Sequence, residues 1–200
     1  MKMKFLLWIL LVFTVAFTLL WGEAVLQQRS LADKTLRLHV VANSDSSEDQ
    51  AQKLRVRDHL LSELHTMTRD CDTLKEAESV IRENLPILEN SAREFLHMER
   101  SPYDVELTLC EEDFSTRRYE TFSLPAGEYH SLRMVIGKGE GQNWWCVVFP
   151  TLCNAASTKE LETMAVMGGY DEEELAMIRR EEPKYVLQFK ILEIMREVFR

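Results

Sequence analysis

Cys146 and Cys153, seven residues apart, are the side chains in this sequence best suited to covalent chemistry. A cysteine acts as a nucleophile when a base takes its proton and nearby donors receive the charge that develops on the substrate. Gln142, four residues before Cys146, suits the donor role, and His39 is a distant imidazole able to serve as the base. Cys146, however, falls within Trp144-Trp145-Cys146-Val147-Val148-Phe149, an apolar run that reads as a strand. Burial there would raise the thiol pKa and make it inert. The other reading of the pair is a disulfide across the turn at Pro150, which an oxidising compartment permits. Cys71 and Cys110 are either a second pair or small core residues.

Other chemical signals are weak. His39, His59, His65, His97 and His130 form no i, i+4 helical pair and no H-E-x-x-H, so no metal site is expected. Asp45, Glu48 and Asp49 do not follow calcium-loop spacing, and they read as acids at a helix N-terminus, where they complement the dipole. Gly137-x-Gly139-x-Gly141 invites a phosphate-loop reading, but a dinucleotide fingerprint needs a helix next and a strand follows here. The glycines are therefore expected to permit positive φ in a wide hairpin turn, with no cofactor. Trp144 and Trp145 should point to opposite faces of their strand, one into the core and the other packing locally or anchoring a partner.

The elements that would position these residues follow from periodicity. Residues 35–42 alternate, are rich in branched side chains, and read as a strand. Asn43 to Ser47 stop it, and Ser46 with Asp49 resembles a capping box. Leu54, Leu60, Leu61, Leu64 and Met67 then recur at helical spacing to about Arg69. A second helix is predicted over 73–99, kinked or split at Pro86. Strands are expected around 103–109, 118–123, 129–136 and 144–149, with a turn at Pro125-Ala126-Gly127. A short helix over 171–180 and a final one over 185–199 close the chain, with Gly168-Gly169 and Pro183 as breaks. The expected fold class is α+β, with helices on one face of a mainly antiparallel sheet of about five strands.

The chain has 200 residues, 28% charged and 46% hydrophobic, with only 7 Gly and 5 Pro, which excludes a disordered or collagen-like protein. Its net charge of −9, from 33 acids against 24 bases, argues against nucleic acid as a partner. Lys2 and Lys4 precede an uncharged run from Phe5 to Trp21 that would span roughly 25 Å as a helix. Residues 1–22 thus read as a signal peptide or membrane anchor, and the length favours the anchor. Residues 23–33 read as a tether and 34–200 as one extracytoplasmic domain, the two lysines staying inside.

Two segments resemble the stage II sporulation protein R family of endospore-forming bacteria. The first is Leu36 to Ser46, with Glu48-Asp49-Gln50 and the stretch Lys53 to Asp58; the second runs from Leu124 through Arg133-Met-Val-Ile-Gly137 to Cys153. The resemblance covers roughly residues 1–155 and leaves 154–200 unmatched. It implies an intercellular signal, exported across the forespore membrane, that activates a membrane-embedded aspartic protease of the mother cell. That protease cleaves the sigma-E precursor. The resemblance assigns no catalytic residue. A ligand of this kind needs contact surfaces, and the candidates are Asn43, Ser44 and Asp45, the loop residues Gly139, Gln142, Asn143 and Trp144, and Arg57. The competing function is an extracytoplasmic cysteine-dependent hydrolase acting on cell wall or peptide through Cys146.

Overall fold

The computed structural model describes residues 2–154, 157–179 and 183–199. One helix, α1 (Lys2–Ala32), takes in both the apolar run and the stretch read as a tether. It is long and apolar enough to cross a membrane. Residues 23–33 are therefore helix almost throughout, and their last turns are packed: Ala24, Gln28, Leu31 and Ala32 are buried. The anchor candidate thus enters the domain as a continuous rod.

Beyond it, β1 (Leu36–Val41) leads into α2 (Ser47–Thr68) and α3 (Leu74–Met98). Ser46 caps α2, its hydroxyl accepting from the Asp49 N–H at 3.1 Å. The Ser46 N–H is taken by Ser44 Oγ, so Ser44 stands in for the reciprocal half of the expected capping box. Val56, Leu60 and Leu64 are the buried stripe of α2, whereas Leu54 is exposed. Thr73 caps α3 by accepting from Glu76 N. Pro86 does not split α3, which runs unbroken from Leu74 to Met98. Pro86 and Arg82 are both exposed, so the carbonyl left without its donor faces water.

The strands are β2 (Val105–Phe114), β3 (Arg117–Arg118), β4 (Ser123–Leu124), β5 (Gly127–Ile136) and β6 (Asn143–Phe149). The main sheet has order β2-β5-β1-β6, and β3-β4 is a separate two-stranded ribbon. The β2–β5 and β1–β6 pairs are antiparallel, and β1–β5 is parallel. The fold is α+β in one domain, as the sequence suggested, with β1 inserted at the centre of the sheet. Consequently β5 and β6 are not hairpin partners: their connection crosses the end of β1. The wide hairpin expected at Gly137–Gly141 is thus a crossover loop.

Helices cover both faces of the sheet rather than one. Leu36, Leu38 and Val40 pack with Val56, Leu60, Ile81, Leu88, Leu132, Met134 and Cys146 under α2 and α3. On the other side, Leu31, Val147, Leu152 and the helices α4 (Thr158–Met167), α5 (Glu172–Arg179) and α6 (Pro183–Phe199) form a second core. The expected end of α5 at Arg180 lies outside the described residues. The second core is tied to α1 through Glu174, 3% exposed, which accepts from Ser30 Oγ and Lys34 Nζ at 2.7 Å each.

Candidate functional site

Because β1 lies between β5 and β6, the loop joining those two strands has to lie against the residues that leave β1. The two polar loops read separately in the sequence are consequently laced together. Glu140 N donates to Asn43 O and Gly141 N to Ala42 O, at 3.2 and 2.9 Å. Lys138 N donates to Asn43 Oδ1 at 3.0 Å, and Gln142 N to Asp45 Oδ1 at 2.7 Å. Two glycines make the approach possible. Gly139 has φ +65°, and a Cβ on Gly141 would stand 2.4 Å from the Ser44 carbonyl oxygen.

The first two turns of α2 lie underneath. Asp49 is 7% exposed, and its Oδ2 accepts from Asn43 Nδ2 at 2.8 Å and Ser44 Oγ at 2.6 Å. Those two bonds, Asn43 first, hold its carboxyl below the usual aspartate value against the opposing effect of burial. Gln50 Nε2 donates to Ser44 O at 2.9 Å. Lys53, 3% exposed, donates from Nζ to the Gln142 carbonyl at 2.8 Å and to Gln50 Oε1 at 2.6 Å. Burial, then the Arg57 charge, lowers the Lys53 pKa, and Asp45 opposes them. Asp49, Lys53 and Arg57 follow one another at i, i+4 spacing, which places them on one face of α2. That spacing was the available signal for Asp49 and Lys53, which the site candidates omit.

Arg57 closes the row. Its guanidinium carbon is 4.3 Å from the Trp144 ring centroid, and its Nη2 donates to Asp58 Oδ1 at 2.6 Å. Trp144 remains 40% exposed. All eight candidate contact residues, Asn43, Ser44, Asp45, Arg57, Gly139, Gln142, Asn143 and Trp144, therefore belong to one surface at the loop-bearing end of β1 and β6. The surface combines a rigid hydrogen-bonded base with an exposed aromatic ring, the composition of an interface anchor.

Neither tryptophan fills the main core. Trp145 is half-buried on the opposite face, stacked on His39 at 5.8 Å and covered by Arg117 at 3.5 Å. The cysteine–histidine pair is not assembled. Cys146 lies opposite Leu38 and faces α2 and α3, whereas His39, one residue along β1, faces the other way onto Glu112 at 3.1 Å. The Cys146 thiol is pushed up by its hydrogen bond to Cys153 and by burial, the opposite of what a nucleophile needs. The expected Cys146–Cys153 bridge is not formed: both are free thiols, with Cys146 hydrogen-bonded to its neighbour. Cys71 and Cys110 are free and half-buried. Among the described residues no cluster of His, Cys, Asp and Glu suits a metal ion. A cavity of about 830 Å³ lies away from this surface, between α1, α6 and the β2–β5 end, lined by Trp21, Gln28, Phe114, Tyr129 and Leu192.

A family model described as stage II sporulation protein R matches residues 32–159. The stage II sporulation protein R of Bacillus subtilis (strain 168) is 36% identical over 137 residues, which are 66% of this chain and 61% of that protein. The match thus spans less than two thirds of that relative. No solved structure matches. The matched region contains the whole surface just described and the sheet beneath it.

Proposed function

The chain belongs to the stage II sporulation protein R family, and from that membership we propose that it is an exported signal of endospore formation. In this reading the domain sits in the space between forespore and mother cell. There it activates a membrane-embedded aspartic protease that cleaves the sigma-E precursor. The observation that carries a binding role is the single surface built from the β1 exit, the crossover loop and the Arg57–Trp144 pair. It is stiffened from below by buried Asp49 and Lys53, so a partner meets it without first ordering it.

Activation by contact requires only that the ligand bind the active state of its partner better than the inactive one. A hundredfold gain corresponds to about 2.7 kcal/mol of differential affinity, within reach of one aromatic anchor and a few hydrogen bonds. The continuous α1 supports the same reading, because a helix that runs into the domain core sets the height and tilt of this surface above a membrane.

The test is co-expression with the protease and the sigma precursor in a non-sporulating host, with cleavage read on a gel. The wild-type chain should give processed precursor. Trp144→Ala and Gln142→Ala should reduce processing at unchanged protein level. If both variants process normally, the surface is misassigned, and if the wild-type chain gives no processing, the activating role is lost.

A further inference from the structure

The ten-residue strand β2 is one edge of the main sheet, and its two halves differ. Asp104 O accepts from Gly137 N on the β5 side, whereas Leu107 N donates away from β5 to Glu89 Oε2 at 3.1 Å. The alternation of an antiparallel ladder therefore turns the backbone groups of Val105, Leu107, Leu109, Glu111 and Asp113 outward. The first half of this edge is closed. The Val105 N–H donates to Asp104 Oδ1 at 2.8 Å, and Arg93 holds both capping carboxylates, at 2.6 Å from Asp104 Oδ1 and 2.9 Å from Glu89 Oε1. In the second half, among the described residues, the N–H groups of Leu109 and Glu111 have no hydrogen-bond partner. The opposite edge, β6, is shielded by the 3-10 turn Leu152–Asn154, where Cys153 Sγ accepts the Val147 N–H at 3.0 Å. An open stretch of edge strand is a template for a further strand.

The surroundings of the open half select what can pair there. Glu111 and Asp113 share one face of β2, and Glu128 is the cross-strand neighbour of Asp113 on β5. All three line the cavity of about 830 Å³. Asp33, Glu193 and Glu197 add carboxylates to its wall, against Arg29 and His130, and His130 is engaged by Glu78 at 2.9 Å. Gln28 lines the same cavity. It is 5% exposed, and its Nε2 is buried with no hydrogen-bond partner, a donor held for an incoming carbonyl oxygen. Trp21, Phe114 and Tyr129 give the cavity aromatic walls, which also favour a cation. The acids disfavour a second copy of this chain as the occupant. Antiparallel self-pairing centred on the open half sets Glu111 against its own counterpart, with Glu112 and Asp113 alongside, and like charges directly opposite are destabilising.

We propose that the β2 edge over 109–113 binds an extended segment of a partner protein as an added strand, with Lys or Arg at alternate positions facing Glu111 and Asp113. Main-chain hydrogen bonds to Leu109 and Glu111 hold the segment, and the acidic cavity beside them selects basic side chains. This surface lies on the edge of the sheet opposite β6, apart from the loops at the β1 exit. It does not depend on the function assigned to those loops.

The full chain in neutral detergent micelles is titrated with the fluorescein-labelled peptide Lys-Thr-Lys-Val-Lys-Thr-Lys, and binding is read by anisotropy. Two controls accompany it: the same peptide with Glu for every Lys, and the basic peptide N-methylated at every residue, which keeps its charge but has no N–H to pair. The basic peptide should bind, and each control should bind weaker by about tenfold or more. Glu111→Lys, at an exposed position, should weaken the basic peptide by about tenfold. Hydrogen exchange of the wild-type chain, resolved to single residues by mass spectrometry, should slow at the Leu109 and Glu111 N–H groups by about tenfold when the basic peptide is bound. The Val105 and Leu107 N–H groups, already bonded, should not change. Absence of binding by the basic peptide, equal binding of either control, or unchanged exchange at Leu109 and Glu111 overturns the proposal. Slowing of those two amides with rising chain concentration and no peptide assigns the edge to a second copy and overturns it as well. The wild-type exchange decides the matter even if Glu111→Lys fails to fold, and no readout depends on protease activation.

Discussion

Asp49→Asn keeps the shape of the side chain beneath the candidate surface and removes its charge. In the native protein both Asn43 Nδ2 and Ser44 Oγ donate to Oδ2 of this 7%-exposed carboxylate. A hydrogen bond to a charged group contributes about 1.5–3 kcal/mol and a neutral one about 0.5–1.5, so neutralising the acceptor of two bonds should cost about 2 kcal/mol. For a domain of this size that corresponds to a melting point lower by about 4–8 °C. The pH dependence has a definite sign. The folded carboxyl is held below its usual value, so its stabilisation is complete above the unfolded aspartate pKa of about 3.9 and is lost as pH falls through the lower folded value. Asp104, whose carboxyl is lowered chiefly by Arg93, adds acid sensitivity in the same direction. Melting the full chain in micelles by near-ultraviolet circular dichroism, from pH 7 to pH 2.5, should show a shallower acid slope for the variant than for wild type. The variant should also lose part of its processing activity, because Asn43 and Ser44 are no longer held as firmly. An unchanged melting point together with an unchanged acid slope would refute the claim that Asp49 organises this surface.

Gly141→Ala places a methyl group 2.4 Å from a backbone oxygen that cannot rotate away, and should cost about 1–3 kcal/mol by thermal melting; Gly22→Ala, with nothing within 4 Å, is the control and should be neutral or slightly stabilising. Lys34→Met removes a cation 2.7 Å from the buried Glu174 carboxylate while Ser30 and the Asp171 N–H remain, so a loss of about 2–3 kcal/mol is expected in the same melt, and an unchanged melting point would show that this tie between α1 and α5 is not stabilising.

Much of the architecture could be read from residue order, because it rests on local rules. The period of two in 36–41, the caps Ser46 and Thr73, and the apolar stripe of α3 each specify an element without knowledge of its neighbours. The reading failed where the deciding partner is distant in sequence. The stretch 23–33 is polar enough to read as a tether, yet Leu31 and Ala32 are buried by segments distant in sequence, and helix continues through it. Pro86 breaks a rule about backbone donors that matters less when the orphaned carbonyl meets water. Trp145 belongs to an apolar run by composition, but the face it occupies is filled by His39 and Arg117.

The candidate surface divides in the same way. Its residue types, two polar loops, a glycine-rich link, an arginine and a tryptophan, were all evident from the chain itself. That they form one surface was decided by strand order. Inserting β1 between β5 and β6 forces the glycine loop across the β1 exit, and hydrogen bonds such as Gln142 N to Asp45 Oδ1 span 97 residues. Likewise, Arg37 and Val147, far apart in sequence, are cross-strand neighbours, and the Val147 N–H donates to the Cys153 sulfur. Patterning selects elements because helix and strand periods act over a few residues. Which side chains share a site depends on which strands pair, and that is settled by burial of the whole sheet at once.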